Sequence, residues 1–437
     1  MKWILWAVIF LLVGLVLQLE LLVYAMYALL GMIVVSRYFA HQWTENIAAR
    51  RECNRETAQI DDKVAVIVTV ENQGHHRVAW LLMEDGLPKD AFLQKPPRLK
   101  IERSRRMITS LKSRCETALK YQVHFKMRGY YQIGPLLVES GDLFGLHRKY
   151  KILSKPQFVL VYPKVLPLES YNIASRKPIG EIRMSHRLYE DPTRISGVRP
   201  YQMGDPLNRI HWRATARTGE LHSKTFEPSS IAGASILMDF HKASFPSRGL
   251  VQRSELAVTA AASLSNALYQ LNQQVGFFTN ARDAADRVRE EGWKHEFASR
   301  NIAREQMEKQ EENTRLRPVE VPTRRGADQL QRILESLARA ELTDGLRFPE
   351  FVLQIAGHLP RDATVIAILP FVSLETATAL AALKRKGFAI SVVLVMYNDE
   401  EDFPECLGRL IAERIEVRRI EDEEMLSQIC SEQLVAR

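Results

Sequence analysis

The stretch that decides the fold class is "ATVIAILPFVSLETATALAALKRKGFAISVVLVMYN", residues 363–398. Two wholly apolar runs, 363–371 and 388–398, flank a segment, 374–386, in which alanine and leucine recur at helical spacing. Apolar strands that alternate with helices are typical of a parallel sheet covered on both faces. The stretch therefore predicts a strand–helix–strand unit of a doubly wound α/β domain.

The same alternation extends in both directions and predicts an α/β domain over 231–437. The further predicted strands are 234–240, 275–280 and 414–420, and the further predicted helices are 254–274, 327–342, 405–413 and 421–434. Residues 281–326 interrupt the pattern with eleven basic and ten acidic residues and few apolar ones. This composition predicts a solvated insertion, a charged helix followed by a loop.

Two apolar runs, 3–17 and 21–35, lie at the N-terminus and are separated by Gln18, Leu19 and Glu20. One straight helix over both would be about 50 Å long, well beyond a hydrocarbon layer of roughly 30 Å. Each run alone reaches about 23 Å, which a bilayer accommodates when flanking residues extend to the headgroups. The pattern favours a transmembrane helical hairpin over 1–36. A single tilted span plus an interfacial helix is the alternative.

Basic residues flank both runs on one side of the predicted hairpin. Lys2 precedes the first run, and Arg37, Arg50, Arg51 and Arg55 follow the second. The positive-inside rule then predicts a multi-pass protein of the inner (cytoplasmic) membrane whose soluble domains are cytoplasmic. The net charge of +8 comes from scattered basic residues. A lipid bilayer is therefore an expected partner, whereas nucleic acid is not.

Residues 37–175 contain short segments with strand character. Segment 63–72 is rich in β-branched residues, 118–140 alternates polar and apolar positions around turn residues, and 155–164 is bounded by prolines. Short strands punctuated by glycine and proline, without a long helical period, predict a β-sandwich-like domain.

A dense group of hydrogen-bonding side chains occupies "GDPLNRIHWRATARTGEL", residues 204–221, within the junction segment 176–230. Arginine forks suit carboxylates or phosphates, and tryptophan offers a large apolar body. A structural latch, with Trp212 plugging the junction between domains, is favoured over a ligand or partner site, although both have the same sequence signature. The candidate residues are Gly204, Asp205, Arg209, His211, Trp212, Arg217, Gly219, Glu220 and Lys224.

The segment "YQMGDPLNRIHWRATARTGELHSKTFE" (201–227) resembles the signature of the domain-of-unknown-function 58 (DUF58) family, membrane-anchored proteins with a von Willebrand factor A-like domain. Segments 128–146, 161–165 and 190–205 support the resemblance, which covers nearly the whole chain in matching order. It implies a membrane hairpin, a β-sandwich and a von Willebrand A-like α/β domain. It also implies a MoxR-type AAA+ ATPase and a transglutaminase-like membrane protein as partners.

The von Willebrand A-like fold implied by the resemblance usually binds a metal through Asp-x-Ser-x-Ser, a threonine and a later aspartate. Here Asp239 is followed by His241 and Ala243 at the two serine positions. Asp239 and Ser244 alone supply too few oxygen ligands for Mg²⁺, so the site is interpreted as degenerate and no metal is expected. The sequence contains no nucleotide-binding, hydrolase or zinc-protease motif, so no cofactor and no catalytic residue is expected.

Two main functions remain open from the sequence, with a metal-dependent adhesion module as a third, weaker alternative. The first is a membrane-anchored, non-enzymatic protein-interaction factor that works with a MoxR-type AAA+ ATPase in the assembly or maturation of envelope proteins. The alternative is an enzyme acting on an anionic substrate at Asp205, Arg209, His211 and Arg217. Alanine replacement separates them, because a latch variant loses stability whereas a catalytic variant stays folded and loses only activity.

Overall fold

The computed structural model describes residues 2–429 apart from 89, 95, 143–146, 169–188, 203–208, 230–232, 247–248, 292–315, 361–362 and 396–402. The chain divides into two compact units. The first is Met1–Lys164 with Asp283–Thr314 and Leu337–Ala340, and the second is Val165–Arg282 with Arg315–Ser336 and Glu341–Arg437.

The helices and strands are numbered along the chain. The helices are α1 Lys2–Val16, α2 Glu20–Glu45, α3 Asp90–Leu93, α4 Trp212–Thr218, α5 Leu250–Gln270, α6 Ala284–Glu291, α7 Ala327–Arg339, α8 Phe348–Ile355, α9 Leu374–Arg385, α10 Phe403–Ala412 and α11 Glu423–Gln428. The strands are β1 Ile47–Cys53, β2 Thr57–Ala58, β3 Lys63–Asn72, β4 Val78–Asp85, β5 Leu99–Glu102, β6 Arg106–Leu111, β7 Glu116–Phe125, β8 Gly129–Ile133, β9 Leu136–Gly141, β10 Arg148–Ser154, β11 Gln157–Val161, β12 Tyr189–Pro200, β13 His222–Ser229, β14 Gly233–Met238, β15 Gln274–Thr279, β16 Arg282–Asp283, β17 Val319–Arg324, β18 Ala340–Glu341, β19 Thr364–Leu369, β20 Ile390–Val395 and β21 Glu416–Ile420.

Two antiparallel four-stranded sheets form the body of the first unit. Their strand orders are β1-β3-β7-β5 and β10-β9-β4-β6, and β2-β11-β8 form a third, smaller sheet. In β3 every second residue, from Val64 to Val70, is fully buried. This period of two is expected when one face of a strand lies on a core. Residues of both large sheets, such as Val66 and Val138, share that core, so the unit is a β-sandwich.

Helix α2 continues from the apolar N-terminal segment into the sandwich. The residues that it buries are Ile33, Ser36, Ala40, Trp43 and Thr44. Their spacing places them on one side of the helix. Trp43 belongs to the core of the sandwich and Phe39 packs against that core. The predicted membrane segment ended at residue 36, but α2 runs to Glu45 because its inward-facing residues continue at helical spacing.

A turn at Leu17–Leu19 separates α1 from α2, where Gln18 has φ 52°. A Cβ on Gly14 would lie 3.1 Å from Leu22 Cδ2, so glycine lets the two helices approach next to the turn. Among the described residues, α2 is the one helix long and apolar enough to cross a membrane, and Trp6–Val16 form a shorter apolar helix.

A six-stranded sheet in the order β17-β15-β14-β19-β20-β21 forms the centre of the second unit. All neighbouring pairs are parallel except β15 and β17. Strands β14, β19 and β20 are buried along nearly their whole length. Both faces of the sheet are therefore covered, as the apolar runs predicted.

The structure corrects the prediction for the end of the charged segment 281–326. The sequence predicted a loop there, but Val319–Arg324 forms β17 and pairs with β15, with Val321 opposite Phe277. Charged residues and Pro322 are tolerated because β17 is an edge strand. The predicted charged helix corresponds to α6, and 292–315 lie outside the described residues.

Candidate functional site

The motif helix α4 lies between the two strands of a hairpin. Strands β12 and β13 pair antiparallel, with Pro200 opposite His222. Ile210 is buried and forms a β-bridge with Ser223. The His211 N–H donates to the His222 carbonyl at 2.8 Å. These contacts fix the start of α4 against the end of the hairpin.

Two of the predicted site residues cap this helix. His211 is the N-cap, and its Nδ1 accepts the Ala214 N–H at 3.0 Å. Gly219 ends the helix with φ 77°, and its N–H donates to the Thr215 carbonyl at 2.9 Å. Glycine adopts this left-handed conformation without a side-chain clash. His211 and Gly219 thus maintain the shape of the motif.

The outward side of α4 carries one tryptophan and two arginines. Trp212 is 68% exposed, and Arg213 and Arg217 are exposed. Neither arginine forms an ion pair or a side-chain hydrogen bond within the part of the chain that the structure describes. They stand four residues apart, so they lie on one side of the helix and repel each other weakly. We call Trp212, Arg213 and Arg217 the motif face.

Trp212 is 68% exposed, and its packing at the junction between domains stays a prediction. Glu220 is exposed and Lys224 half-buried, and over the described ranges neither forms an ion pair. Arg209 is half-buried, whereas Gly204 and Asp205 lie outside the described residues. The latch interpretation of the motif as a whole, including these two residues, stays a prediction.

Asp239 directly follows β14, at the carboxyl end of that strand. The strand order reverses next to β14, and open α/β sheets bind their ligands at such a point. Its side chain is buried, at 1% exposure. Oδ1 accepts the His241 N–H and the Asn280 Nδ2–H, both at 3.0 Å. Burial raises the pKa of the Asp239 carboxyl above its ordinary value, and hydrogen bonds from Ser244, Asn280 and the His241 backbone oppose the rise.

Asn280 is a site residue that the sequence analysis missed. It follows β15, its Oδ1 accepts the Phe240 N–H at 2.7 Å, and its Nδ2 also donates to the Leu346 carbonyl at 3.0 Å. One amide thus joins the ends of two neighbouring strands to the loop before α8. The available signal was an asparagine at the end of the apolar run 275–280, beside an aspartate that ends the adjacent strand.

The groups around Asp239 do not fit a metal ion. The carboxylate faces hydrogen-bond donors, and Asn280 turns its Nδ2 rather than its oxygen toward it. A cation would need oxygen ligands in those positions. The described residues hold no group of three or more His, Cys, Asp or Glu side chains that could bind a metal. We conclude that Asp239 is a buried structural carboxylate, and we derive no chemistry through a metal there.

The sequence analysis also missed a buried ion pair in the sandwich. The side chains of Arg51 and Asp85 are 1% and 0% exposed. Arg51 Nε donates to Asp85 Oδ2 at 3.1 Å, and its terminal nitrogen donates to Oδ1. The Tyr121 hydroxyl donates to Oδ2 at 2.6 Å. Removing one partner of such a pair costs about 3–5 kcal/mol. Arg51 was interpreted only as a charge flanking the membrane segment.

A glycine makes room for this pair. A Cβ on Gly134 would clash with the terminal nitrogens of Arg51, and Gly134 also has φ 94°. Burial, and secondarily the Asp85 carboxylate, raise the pKa of Tyr121 well above its ordinary value, so the hydroxyl remains a donor at neutral pH. Loss of either Arg51 or Asp85 would thus leave an unpaired charge buried in the sandwich.

One family model matches the part of the chain that contains the motif face. Residues 197–314 match the family "Protein of unknown function DUF58". A curated relative, "Uncharacterized protein YeaD" from Bacillus subtilis (strain 168), is 24% identical over 215 residues. The match covers 49% of this chain and 52% of the relative, so the chain spans about half the length of the relative that it matches.

Solved structures give only distant similarity. The CARDB domain of PF1109 from Pyrococcus furiosus covers 26% of this chain and 86% of its own, with 13% identity and a TM-score of 0.18. Proximal thread matrix protein 1 from the mussel byssus covers 46% of both chains, with 9% identity and a TM-score of 0.29. TM-scores this low carry no argument about the fold.

Proposed function

We propose that this chain is a membrane-anchored protein-interaction factor that works with a MoxR-type AAA+ ATPase in the assembly or maturation of envelope proteins. The observation that carries the proposal is the motif face, which lies inside the DUF58-matching segment. Tryptophan and arginine dominate the energetics of protein interfaces. Trp212, Arg213 and Arg217 are exposed without intramolecular partners among the described residues.

Asp239 has a structural role in the second unit. Its carboxylate accepts hydrogen bonds from neighbouring strand ends and is buried. Its hydrogen bonds therefore join neighbouring strand ends at the edge of the sheet where doubly wound sheets bind ligands. The von Willebrand A-like identity of this unit is part of the proposal and rests on the family resemblance and on the strand order.

The anchor is the second part of the proposal. Helices α1 and α2, joined by the turn at Leu17–Leu19, would cross the inner membrane as a hairpin and leave both units in the cytoplasm. The apolar character of both helices, the exposure of large side chains such as Leu21 and Tyr24, and the flanking charges support it. A transglutaminase-like membrane protein is a second proposed partner, which the family resemblance alone suggests.

Affinity purification of the detergent-solubilised full chain tests the proposal. We expect an AAA+ ATPase to be recovered with the wild type and to fall about tenfold or more with the double variant Arg213→Gln/Arg217→Gln or with Trp212→Ala. The matched control is Arg332→Gln, because Arg332 is an exposed arginine on α7 without an ion pair among the described side chains.

Failure to recover such an ATPase with the wild type, or equal recovery with all variants, would contradict the proposal. The enzyme alternative stays a prediction, because Asp205 lies outside the described residues.

A further inference from the structure

The edge strand of the sandwich places two lysines beside α2. Strand β10 is outermost in the β10-β9-β4-β6 sheet. Lys149 Nζ lies 2.5 Å from His41 Nδ1, and Lys151 Nζ donates to the Glu45 carbonyl at 2.9 Å. Two residues of a strand advance about 6.6 Å, and four residues of a helix rise about 6 Å. The strand therefore runs alongside the helix, and each lysine shares the level of the helical residue that it contacts.

The length of α2 sets the depth of these lysines in the membrane anchor proposed above. A straight helix from Glu20 reaches about 30 Å, the thickness of the hydrocarbon layer, at residue 40. His41 then lies at the border of that layer, and Glu45 lies about 6 Å beyond it. The headgroup layer is roughly 5–7 Å thick on each side. Lys149 and Lys151 therefore lie at headgroup depth.

The positive charges at this depth favour binding to an anionic surface. Lys149 contacts a ring nitrogen and Lys151 a carbonyl oxygen, and no carboxylate among the described residues contacts either ammonium group. Arg37 is exposed on α2 and forms no ion pair with a described residue.

Two acidic residues lie nearby. Glu45 Oε1 is 2.9 Å from His41 Nδ1, the same atom that Lys149 contacts, so the charge of Glu45 offsets one of the basic residues. Glu139 pairs with Arg148 at 3.3 Å. Lys149, Lys151 and Arg37 together outnumber Glu45, so positive charge exceeds negative charge along this edge.

We propose that Lys149 and Lys151 bind the phosphate groups of anionic phospholipids and hold the β10 edge of the sandwich against the inner leaflet. This proposal rests on the membrane anchor proposed above. A lysine ammonium donates to phosphate oxygens as a compact charge. Basic residues next to a membrane segment are attracted to anionic lipid. The depth of the two lysines selects lipid over an acidic protein segment as the occupant.

Native mass spectrometry of the detergent-solubilised full chain, titrated with phosphatidylglycerol or phosphatidylcholine, tests the proposal. We expect tighter binding of phosphatidylglycerol, and a loss of about fivefold in its affinity for each of Lys149→Gln and Lys151→Gln. The charge-conserving pair Lys149→Arg/Lys151→Arg should retain the preference. The matched control, Lys120→Gln, should behave as the wild type, because Lys120 is an exposed lysine on the other large sheet.

The salt dependence of lipid binding by the wild type tests the same proposal without a variant. We expect the preference for phosphatidylglycerol to disappear between low and high salt, because exposed charges are then screened. Equal affinity for the two lipids at low salt, or a double Lys→Gln variant that binds as the wild type does, would overturn the proposal. A Lys149→Gln/Lys151→Gln variant that keeps its preference for phosphatidylglycerol but no longer binds an acidic protein would also overturn the proposal. The two lysines would then contact protein rather than lipid.

Alkaline extraction of membranes distinguishes an error in the proposed membrane anchor from an error in the proposed lipid-binding role of the two lysines. A wild-type chain that is extracted would refute both proposals. A chain that resists extraction and yet shows no preference for phosphatidylglycerol would refute only the lipid surface.

Discussion

Two buried carboxylates show different ways of satisfying an acidic side chain away from water. Asp85 forms an ion pair with Arg51 and also accepts a hydrogen bond from the Tyr121 hydroxyl. Asp239 has uncharged donors, from Asn280 and from the backbone of His241, at hydrogen-bond distance. Neutral donors compensate an ionised carboxylate less completely than a guanidinium does. Burial raises the pKa of Asp239, and its hydrogen bonds from neutral donors oppose that rise only in part.

This raised pKa predicts how stability changes with pH. The folded Asp239 holds its proton to a higher pH than the unfolded residue does, because burial raises its folded pKa. The wild type therefore loses stability as pH rises from the ordinary carboxyl pKa through the raised one. Asp239→Asn cannot titrate, so its free energy of unfolding should lack this decrease.

Thermal unfolding of the full chain across acidic pH, followed by tryptophan fluorescence, measures the difference between the two proteins. We expect the stability of the wild type relative to Asp239→Asn to fall across that window and then level off. Glu413→Gln, at an exposed carboxylate, serves as the control and should run parallel to the wild type. Parallel curves for Asp239→Asn as well would show that Asp239 does not titrate with a raised pKa.

Residue types at fixed spacing identified the motif but not the role of each side chain. The sequence predicted that residues 204–221 carry a special constellation, and His211 and Gly219 do shape α4 as its caps. Capping depends on where the helix begins and ends, which the pattern did not show. Asn280 and Asp85 could not be found from spacing, because their partners come from distant parts of the sequence that the sheets bring together.

Elements with a uniform environment were the easiest to predict. Strand β3 covers Lys63–Asn72, the predicted range, and α9 ends within one residue of its predicted end. Elements whose environment changes along their length were not predicted fully. Helix α2 passes from an exposed apolar half to a half packed on the sandwich, and the polar residues at 36–37 looked like its end. The edge strand β17 contains Pro322 and charges that resemble a loop.

Because the second half of α2 packs on the sandwich, we expect replacement of a tryptophan in that half to destabilise the sandwich. Trp43 is 5% exposed and belongs to the sandwich core. We expect Trp43→Ala to destabilise the sandwich by about 3–5 kcal/mol, because it leaves a cavity. Hydrogen exchange of the full chain should then accelerate in β9 and β10. Tyr24→Ala, at a residue of the same helix that is 72% exposed, is the control. Unchanged exchange in Trp43→Ala would mean that α2 does not support the sandwich.

At the scale of the whole molecule, the proposed topology predicts the location of both units. A green fluorescent protein fused to the C-terminus should fluoresce, and alkaline phosphatase fused there should be inactive, because the flanking arginines hold that side in the cytoplasm. Alkaline phosphatase fused after Leu19 should be active, because the turn would lie across the membrane. An active C-terminal phosphatase would contradict the orientation. An inactive fusion at Leu19 would favour the single tilted span.

The continuity of α2 has a mechanical consequence for a chain anchored in this way. No flexible linker separates the apolar half of the helix from Trp43 in the core of the sandwich. Helices respond to a thinner or thicker bilayer by changing their tilt. Because the helix is continuous, a change in its tilt would also change the orientation of the sandwich and its distance from the bilayer. Lipid composition would thereby set the orientation of the sandwich relative to the bilayer.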